Sequence, residues 1–235
     1  MLKAHTWAPK IQVAGVSSLT EALFCARIGI NAVGFTLDIP SGVHDGLTRP
    51  RAKEIIRNLP SSLTVVVITY LDRADELASL VEDVGGDALQ LHGGISDTEL
   101  DRFRRARPLT WIVGRVTVEN ELAIEQAARF SHDLYDAVIL DSRDPVTRRI
   151  GATGLTHDWS ISARIVACTQ LPVILAGGLT SDNVADAIAT VGPHGVDAHT
   201  GLENSDGTRN LLKIKRFAEA ASRGFAERAD RTNSL

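Results

Sequence analysis

The stretch that decides the fold runs from Pro172 to Gly201 and reads PVILAGGLTSDNVADAIATVGPHGVDAHTG. Residues 172–176 form a short apolar run that ends in a Gly-Gly turn, and a second such run occupies residues 195–199. Between the two, apolar residues recur at helical spacing over residues 181–190. Two short buried strands separated by a helix predict a βαβ unit, whose strands are parallel.

The same alternation of strand and helix continues through the whole chain. We predict strands at 10–14, 32–37, 64–70, 87–91, 109–116, 136–140, 172–176 and 195–199, and helices near 18–28, 49–58, 73–84, 96–106, 118–131, 159–169, 181–190 and 208–227. The strands are nearly continuous in apolar residues, as burial on both faces of a parallel sheet requires. Eight such units in 235 residues predict an α/β protein with one domain over residues 1–235, a single (β/α)8 (TIM) barrel, ending in a polar tail from about residue 228. A doubly wound open sheet is the alternative.

Composition narrows the classes of partner. A net charge of -4 gives no general reason to expect binding to nucleic acid or to an anionic membrane. No apolar run approaches the roughly 20 residues needed to span a bilayer. The N-terminal MLKAHTWAPK lacks the apolar centre of a signal peptide, so we expect a cytoplasmic protein. We expect it to be either a monomer or a homodimer. Cys25 and Cys168 lie in apolar helical patterns, and we expect both to be buried.

In a TIM barrel the chemistry lies at the carboxyl ends of the strands. The residues at those ends are Ala14, Asp38, Tyr70, His92, Arg115, Asp141, Gly177 and His199. Asp141 follows four apolar residues and is either an acid or base facing the barrel mouth or a cap for the next loop. His92 is either a site residue or a structural histidine, and Arg115 either binds a substrate anion or pairs with Asp141.

Glycine-rich turns follow the seventh and eighth strands. Gly177, Gly178 and Gly201 let the backbone approach a ligand closely. These loops are where TIM barrels most often bind a phosphate group, so the pattern favours a phosphate site over two ordinary turns.

Several motifs in one order resemble the phosphoribosylanthranilate isomerase family of tryptophan biosynthesis. They are QLHG at residues 90–93, LDS at 140–142, GATGLTHDW at 151–159, LAGGLTSDNV at 175–184 and GVDAHTGLENSDGTRN at 195–210. The resemblance runs from about Lys10 to Phe217. It implies a (β/α)8 barrel that opens a phosphorylated ribosylamine to a 1-deoxyketose without a metal or organic cofactor. Asp141 would be the general acid, and the phosphate would lie on Gly178 and Gly201, with Gly154, Gly177 and Thr200 completing its site.

The sequence departs from the family pattern at the end of the barrel that carries the catalytic base. The family has a Lys-x-Cys-Gly motif on strand 1 whose Cys is the base, and here Gln12 and Ala14 replace the Lys and the Cys. Asp45 falls near the family's carboxylate-binding Arg, and His199-Thr200 replaces Ser-Ser. Loss of a general base typically costs about 10²–10⁴ in rate. We therefore predict catalytic roles for Asp141, Asp38 and His199, and substrate-binding roles for Gln12, His92, Arg115 and Asp45.

Four functions follow from this pattern. The first is an isomerase-like enzyme with a retained phosphate site but an altered substrate or reaction, in which Asp38 or His199, or His44 or Asp45, supplies the second proton-transferring group. The second is phosphoribosylanthranilate isomerase itself with a substituted base. A non-catalytic phosphometabolite-binding protein is the third. The fourth is a lyase or hydrolase, including one with a metal held by His92 and His199 with Asp38 or Asp141, although their spacing is uninformative.

Overall fold

A closed barrel of eight parallel strands forms the core of the chain. The computed structural model describes residues 10–40, 46–143 and 154–233. The strands are β1 (Ile11–Val13), β2 (Ala32–Thr36), β3 (Thr64–Thr69), β4 (Ala88–Leu91), β5 (Trp111–Thr117), β6 (Ala137–Asp141), β7 (Val173–Leu175) and β8 (Gly195–Ala198). The helices are α1 (Leu19–Arg27), α2 (Arg49–Ile56), α3 (Ala74–Val84), α4 (Asp97–Ala106), α5 (Leu122–Ala128), α6 (Trp159–Cys168), α7 (Val184–Val191) and α8 (Leu211–Asn233), with a 3-10 helix at Thr200–Leu202. The predicted TIM barrel is therefore confirmed, and the open sheet is wrong because β1 pairs with β8.

The barrel interior is separate from the layer between strands and helices. Two apolar clusters contain no helix residue: one on β1–β4 with Ala14, Ala32, Val66, Ile68 and Ala88, and one on β5–β7 with Val113, Ala137, Ile139, Ile174 and Ala176. Because side chains alternate along a strand, residues two positions further along, such as Gln90 after Ala88 and Asp141 after Ile139, also point inward. The interior is thus apolar toward the amino ends of the strands and more polar toward their carboxyl ends.

Several element boundaries differ from the sequence prediction. β5 continues to Thr117, so Arg115 lies two residues inside the strand rather than at its end. α7 begins only at Val184, because Asn183 precedes it as the N-cap. α8 runs to Asn233, past residue 228 where a polar tail was expected. Its residues include Phe217 and Ala221, which are buried in the core.

The two cysteines differ in their environment. Cys25 is fully buried on α1, and burial raises the pKa of its thiol to about 12. Cys168 is exposed at the end of α6, so the expectation that it is buried was wrong. The apolar face of α6 is buried through Ile161 and Ile165, whereas Cys168 is the last residue of the helix. None of the helices in the described ranges is both long and apolar enough to cross a membrane.

Candidate active site

A cavity opens at the carboxyl ends of the strands. It is lined by Ala14, Thr36, Ile68, Tyr70, Gln90, His92, Asp141, Gly154, Ala176, Gly177, Gly178, Leu179, Asp197, Ala198, His199, Thr200 and Gly201. All five predicted phosphate-binding residues are in this lining, together with Asp141, His92 and His199 from the other predicted groups. The barrel therefore brings the predicted acid and the glycine turns to one mouth.

The turn after β7 requires glycine at two successive positions. Gly177 and Gly178 have φ values of 83° and 63°, which favour glycine. A Cβ atom on Gly177 would lie 1.9 Å from Oγ of Ser142, and one on Gly178 would lie 2.5 Å from the carbonyl carbon of Leu155. The turn therefore packs directly against the end of β6 and the loop before α6. Its backbone forms one wall of the cavity.

The turn after β8 lies against the turn after β7. A Cβ atom on Gly201 would lie 2.1 Å from the backbone oxygen of Leu179, so a side chain there would force the two turns apart. Thr200 and Gly201 start the short 3-10 helix, and Gly154 lies opposite, where an added Cβ would be 3.5 Å from Cγ2 of Thr200. Three loops thus meet at one side of the cavity with their backbones exposed to it.

Asp141 is the last residue of β6 and its carboxyl group lines the cavity. Oδ1 accepts a hydrogen bond of 2.8 Å from the backbone N–H of Ser142. Burial raises the pKa of Asp141 to about 6, against the opposing effects of the Ser142 N–H and the charge of Arg115. A carboxyl group with a pKa near 6 exchanges protons readily near neutral pH, as a general acid must.

Arg115 points into the barrel interior near Asp141 without lining the cavity. Burial lowers the pKa of its guanidinium, and the charge of Asp141 acts in the opposite direction. Among the described residues, its Nη1 atom has no hydrogen-bond partner. Of the two roles that the sequence left open for Arg115, its placement favours electrostatic interaction with Asp141.

Asp197 is a second buried carboxyl group in the cavity, and the sequence prediction missed it. It is 6% exposed, lies on β8, and has an Oδ1 atom without a hydrogen-bond partner in the described part of the chain. Burial, followed by the charge of Asp141, raises the pKa of Asp197 to about 7, while a hydrogen bond from Gln12 lowers it. The sequence indicates this residue only by a single Asp inside the apolar run GVDAH, whereas the prediction considered residues at the ends of strands.

Polar side chains from β1 and β4 form a hydrogen-bonded row across the barrel. Nε2 of Gln12 donates to Oε1 of Gln90 at 3.0 Å, and Nε2 of Gln90 lies 2.8 Å from Nε2 of His92. Because an amide nitrogen can only donate, Nε2 of His92 accepts, and the neutral ring carries its proton on Nδ1. Gln12, a predicted substrate-binding residue, is fully buried and belongs to this row rather than to the cavity lining. His92 lines the cavity beside Tyr70, with ring centroids 5.5 Å apart.

His199, which follows β8, lies beside Ala14, the residue at the end of β1 whose side chain cannot transfer a proton. β1 and β8 pair with Gln12 opposite Asp197 and Val13 opposite Ala198, so the next step of the register sets Ala14 beside His199. A Cβ atom on Gly15 would lie 2.4 Å from Nε2 of His199. Nε2 also lies 3.2 Å from Oε1 of Glu203. The imidazole therefore packs against Gly15, the residue that follows Ala14.

Asp38 does not line the cavity and forms a salt bridge with Arg49. Its Oδ2 atom accepts hydrogen bonds from Nε of Arg49 at 2.8 Å and from Nη2 of the same residue at 2.6 Å. Asp38 has a φ of 50°, so the chain turns sharply immediately after β2. Asp45 and His44 lie outside the described residues. In the described ranges, no group of three or more His, Cys, Asp or Glu side chains is arranged to hold a metal ion.

Comparison with known proteins gives consistent matches. A family profile described as N-(5'phosphoribosyl)anthranilate (PRA) isomerase matches residues 37–220, which leaves β1 and β2 outside the match. N-(5'-phosphoribosyl)anthranilate isomerase 2 of Methanosarcina mazei is 35% identical over 216 residues, covering 92% of this chain and 95% of the relative. The isomerase of Haloferax volcanii is 36% identical over 212 residues, covering 90% of this chain and 92% of the relative.

Solved structures agree with these sequence matches. The crystal structure of phosphoribosyl anthranilate isomerase from Thermotoga maritima superposes with a TM-score of 0.78 at 26% identity, over 92% of this chain and 99% of that one. A thiamine phosphate pyrophosphorylase from Pyrococcus furiosus has a TM-score of 0.63 at 15% identity, which reflects the shared barrel alone.

Proposed function

The chain belongs to the N-(5'-phosphoribosyl)anthranilate isomerase family, and on that premise we propose that it is itself an isomerase of N-(5'-phosphoribosyl)anthranilate with a relocated base. The observation that carries the proposal is that Asp141, His199 and the glycine turns of Gly178 and Gly201 line one cavity. The reaction opens the ribose ring and moves a proton from carbon, which yields a 1-deoxyketose. It is an internal rearrangement that needs one acid and one base.

The phosphate group binds where the three loops meet. Backbone N–H groups in glycine turns are well suited to hold an anion, because no side chain keeps the ligand away. With the phosphate on this side, the ribose lies across the cavity between Asp141 and His199. Both groups that transfer protons then face the part of the substrate that reacts.

Asp141 is the general acid. Its raised pKa of about 6 leaves a share of the carboxyl groups protonated near neutral pH. It donates this proton to the ring oxygen while the nitrogen lone pair forms the C=N bond and the C–O bond breaks. The charge of Arg115 stabilises the carboxylate that remains.

His199 is the general base in place of the missing cysteine. It takes the proton from the carbon next to the C=N bond, and the resulting enamine rearranges to the ketone. Support comes from the paired substitutions: the residue on β1 has become small where the neighbouring residue on β8 has become large. In this proposal the base lies after β8, at His199, instead of at the end of β1, and it faces the same cavity.

A second candidate function is the same type of chemistry on a different phosphorylated substrate. It is favoured by the start of the family match at residue 37, which excludes β1 with Gln12 and Ala14. Of these two residues, Ala14 lines the cavity and Gln12 is buried next to it on the same strand end. An altered wall with a retained phosphate site is the pattern expected of altered specificity.

The test is turnover of N-(5'-phosphoribosyl)anthranilate by the full chain, with product formation followed by chromatography. We expect activity in the wild type and losses of about 10²–10⁴ in kcat for Asp141→Asn and His199→Ser. The exposed His132→Ser variant is the matched control and keeps full activity. Adding Ala14→Cys to His199→Ser restores the family arrangement, and we expect it to regain at least about tenfold over His199→Ser alone.

Each other result identifies a different function. If the wild type does not turn over this substrate but converts another pentose phosphate derivative, and binding of that derivative requires Gly178, the second candidate is correct. If phosphate esters bind and no pentose phosphate derivative is converted, the chain is a binding protein. Full activity in His199→Ser would show that another group, with Asp197 the first to examine, is the base.

A further inference from the structure

Arg209 contacts the backbone on both sides of the pairing between β1 and β8, and it does not line the cavity. Its guanidinium donates to three backbone oxygens: Nε to Gly15 at 3.2 Å, Nη1 to His199 at 2.8 Å, and Nη2 to Ala14. The side chain is 5% exposed. One buried cation thus joins the end of β1 to the residue after β8 through both of their backbones.

A short hairpin presents Arg209 at this position. Glu203 and Arg209 form an antiparallel bridge, and the N–H of Asn204 donates to the oxygen of Thr208 at 2.8 Å. The N–H of Asn210 donates to the oxygen of Leu202 at 3.0 Å. The same hairpin carries Glu203, whose Oε1 is 3.2 Å from Nε2 of His199 and 3.8 Å from Nη1 of Arg209. Glu203 and Arg209 therefore reach His199 from the same turn.

Gly15 allows the imidazole and the guanidinium to pack against the same point of β1. A Cβ atom on Gly15 would lie 2.2 Å from Nη2 of Arg209 and 2.4 Å from Nε2 of His199. Its φ of 71° favours glycine as well. The position of the imidazole thus depends on the backbone carbonyls of Ala14 and Gly15, and Arg209 holds both of them.

The two charged side chains contact different parts of His199: Arg209 binds its backbone oxygen, and Glu203 lies beside its imidazole. A carboxylate at Nε2 orients the ring and stabilises the imidazolium that forms during the reaction, as the third member of a catalytic triad does. With both groups in place, the ring is held in one orientation.

We propose that Arg209 is the positioning residue for His199, holding its backbone and the end of β1 so that the imidazole faces the reacting carbon. The proposal rests on the proposed function, in which His199 is the base. Its competitor is a purely structural role, in which Arg209 only closes the barrel seam. The two differ in whether the effect of Arg209 depends on His199.

The experiment compares Arg209→Gln with Arg228→Gln in the full chain. Arg228 is the matched control because its Nη1 also donates to a backbone oxygen next to β8, that of Pro193 at 3.1 Å, before the strand begins. For Arg209→Gln we expect kcat to fall about 10- to 100-fold with KM changed less than about threefold, since a misplaced catalytic group costs rate rather than binding. Arg228→Gln keeps kcat within about twofold.

Combination with His199→Asn then separates positioning from structure. If Arg209 acts through His199, Arg209→Gln lowers the rate of the His199→Asn variant by less than about twofold, because coupled residues are not additive. Equal losses in both backgrounds overturn the proposal. Should Arg209→Gln fail to fold, Arg209→Lys replaces it in the same cycle. Lysine keeps the positive charge but lacks the several N–H groups with which the guanidinium binds three backbone oxygens, so we expect an intermediate loss of kcat.

A readout that needs no activity distinguishes failure of this proposal from failure of the proposed function. The imidazole ¹H–¹⁵N spectrum, with His199 assigned by its absence in His199→Asn, gives one set of ring signals in the wild type and in Arg228→Gln. We expect these signals to shift and broaden in the Arg209 variant. Unchanged His199 signals overturn the positioning role even in a protein that does not convert phosphoribosylanthranilate. Altered signals in such a protein support the positioning role and refute only the proposed function.

Discussion

Asp141→Asn separates the chemical role of this acid from the cost of burying it. Burial raises the pKa of Asp141 from 3.8 to about 6. Each tenfold change in proton affinity corresponds to about 1.4 kcal/mol, so the ionised carboxylate lowers the free energy of unfolding by about 3 kcal/mol. Asparagine keeps the acceptor for the Ser142 N–H and carries no charge at any pH.

The sign of the effect depends on pH. Below pH 3.8 the carboxyl group is protonated in both the folded and the unfolded protein, and it has no cost. As the pH rises to about 6 the unfolded carboxyl ionises before the folded one, so stability falls, and above pH 6 the full cost is present. Asp141→Asn is therefore more stable than the wild type by about 3 kcal/mol at pH 8, a rise in Tm of roughly 6–12 °C, and gains little at pH 3.5. Its activity falls about 10²–10⁴-fold.

Urea denaturation followed by circular dichroism at pH 3.5 and pH 8 measures this difference. Asp158→Asn is the control of opposite sign: Oδ1 of Asp158 accepts from the N–H of Ser160 at the start of α6, and these hydrogen bonds lower the pKa of Asp158. That variant should be less stable than the wild type at pH 8 and approach it at low pH. An Asp141→Asn variant with no gain at pH 8, or with the same gain at both pH values, would refute the reasoning.

Two further substitutions test the site from other directions. Asp38→Asn removes the charge but tolerates the same backbone conformation, and since Arg49 occupies its carboxylate we expect kcat/KM to stay within about tenfold of the wild type. A loss as large as that of Asp141→Asn in the same assay would restore Asp38 as a catalytic residue. Gly177→Ala brings a Cβ atom within 1.9 Å of Oγ of Ser142 at a φ of 83°, and we expect it to cost about 2–4 kcal/mol in denaturation and to weaken binding of inorganic phosphate. Gly207→Ala, with a φ of 81° and nothing within 4 Å, isolates the backbone strain at about 1 kcal/mol. Equal losses in the two variants would mean that the close approach to β6 does not matter.

The barrel and its phosphate turns could be predicted because they depend on local patterns. An apolar run of five residues and a Gly-Gly turn describe β7 and its loop without reference to any other strand. The rule that strand ends face the mouth then placed Asp141 and His199 correctly in the cavity. It misplaced Asp38 because a left-handed residue after β2 turns the chain, and Arg49 from the next helix binds the carboxylate.

Other features depend on contacts that no local pattern contains. That Ala14 adjoins His199 requires the register between the first and last strands, which only closure of the barrel sets. The cavity position of Asp197 was not predicted because Asp197 lies one residue inside the end of β8. There the pleat of the strand directs its side chain inward beside Gln12. Arg209 is a single basic residue in a polar turn, and its three backbone acceptors lie 10 to 195 residues away in the chain.

The groups proposed to bind phosphate and transfer protons all come from residues 141–209, whereas Ala14, Thr36, Ile68, Tyr70, Gln90 and His92 supply the facing wall. On the proposed function, the last three strands and their loops carry the reactive groups, and the first four strands line the part of the cavity that selects the shape of the ligand. On the proposed function, substitutions of Thr36, Ile68 or Tyr70 reshape the compartment for the non-phosphate half of a ligand and leave Asp141 and His199 in place. New specificities should accordingly be sought by diversifying the first half of the protein.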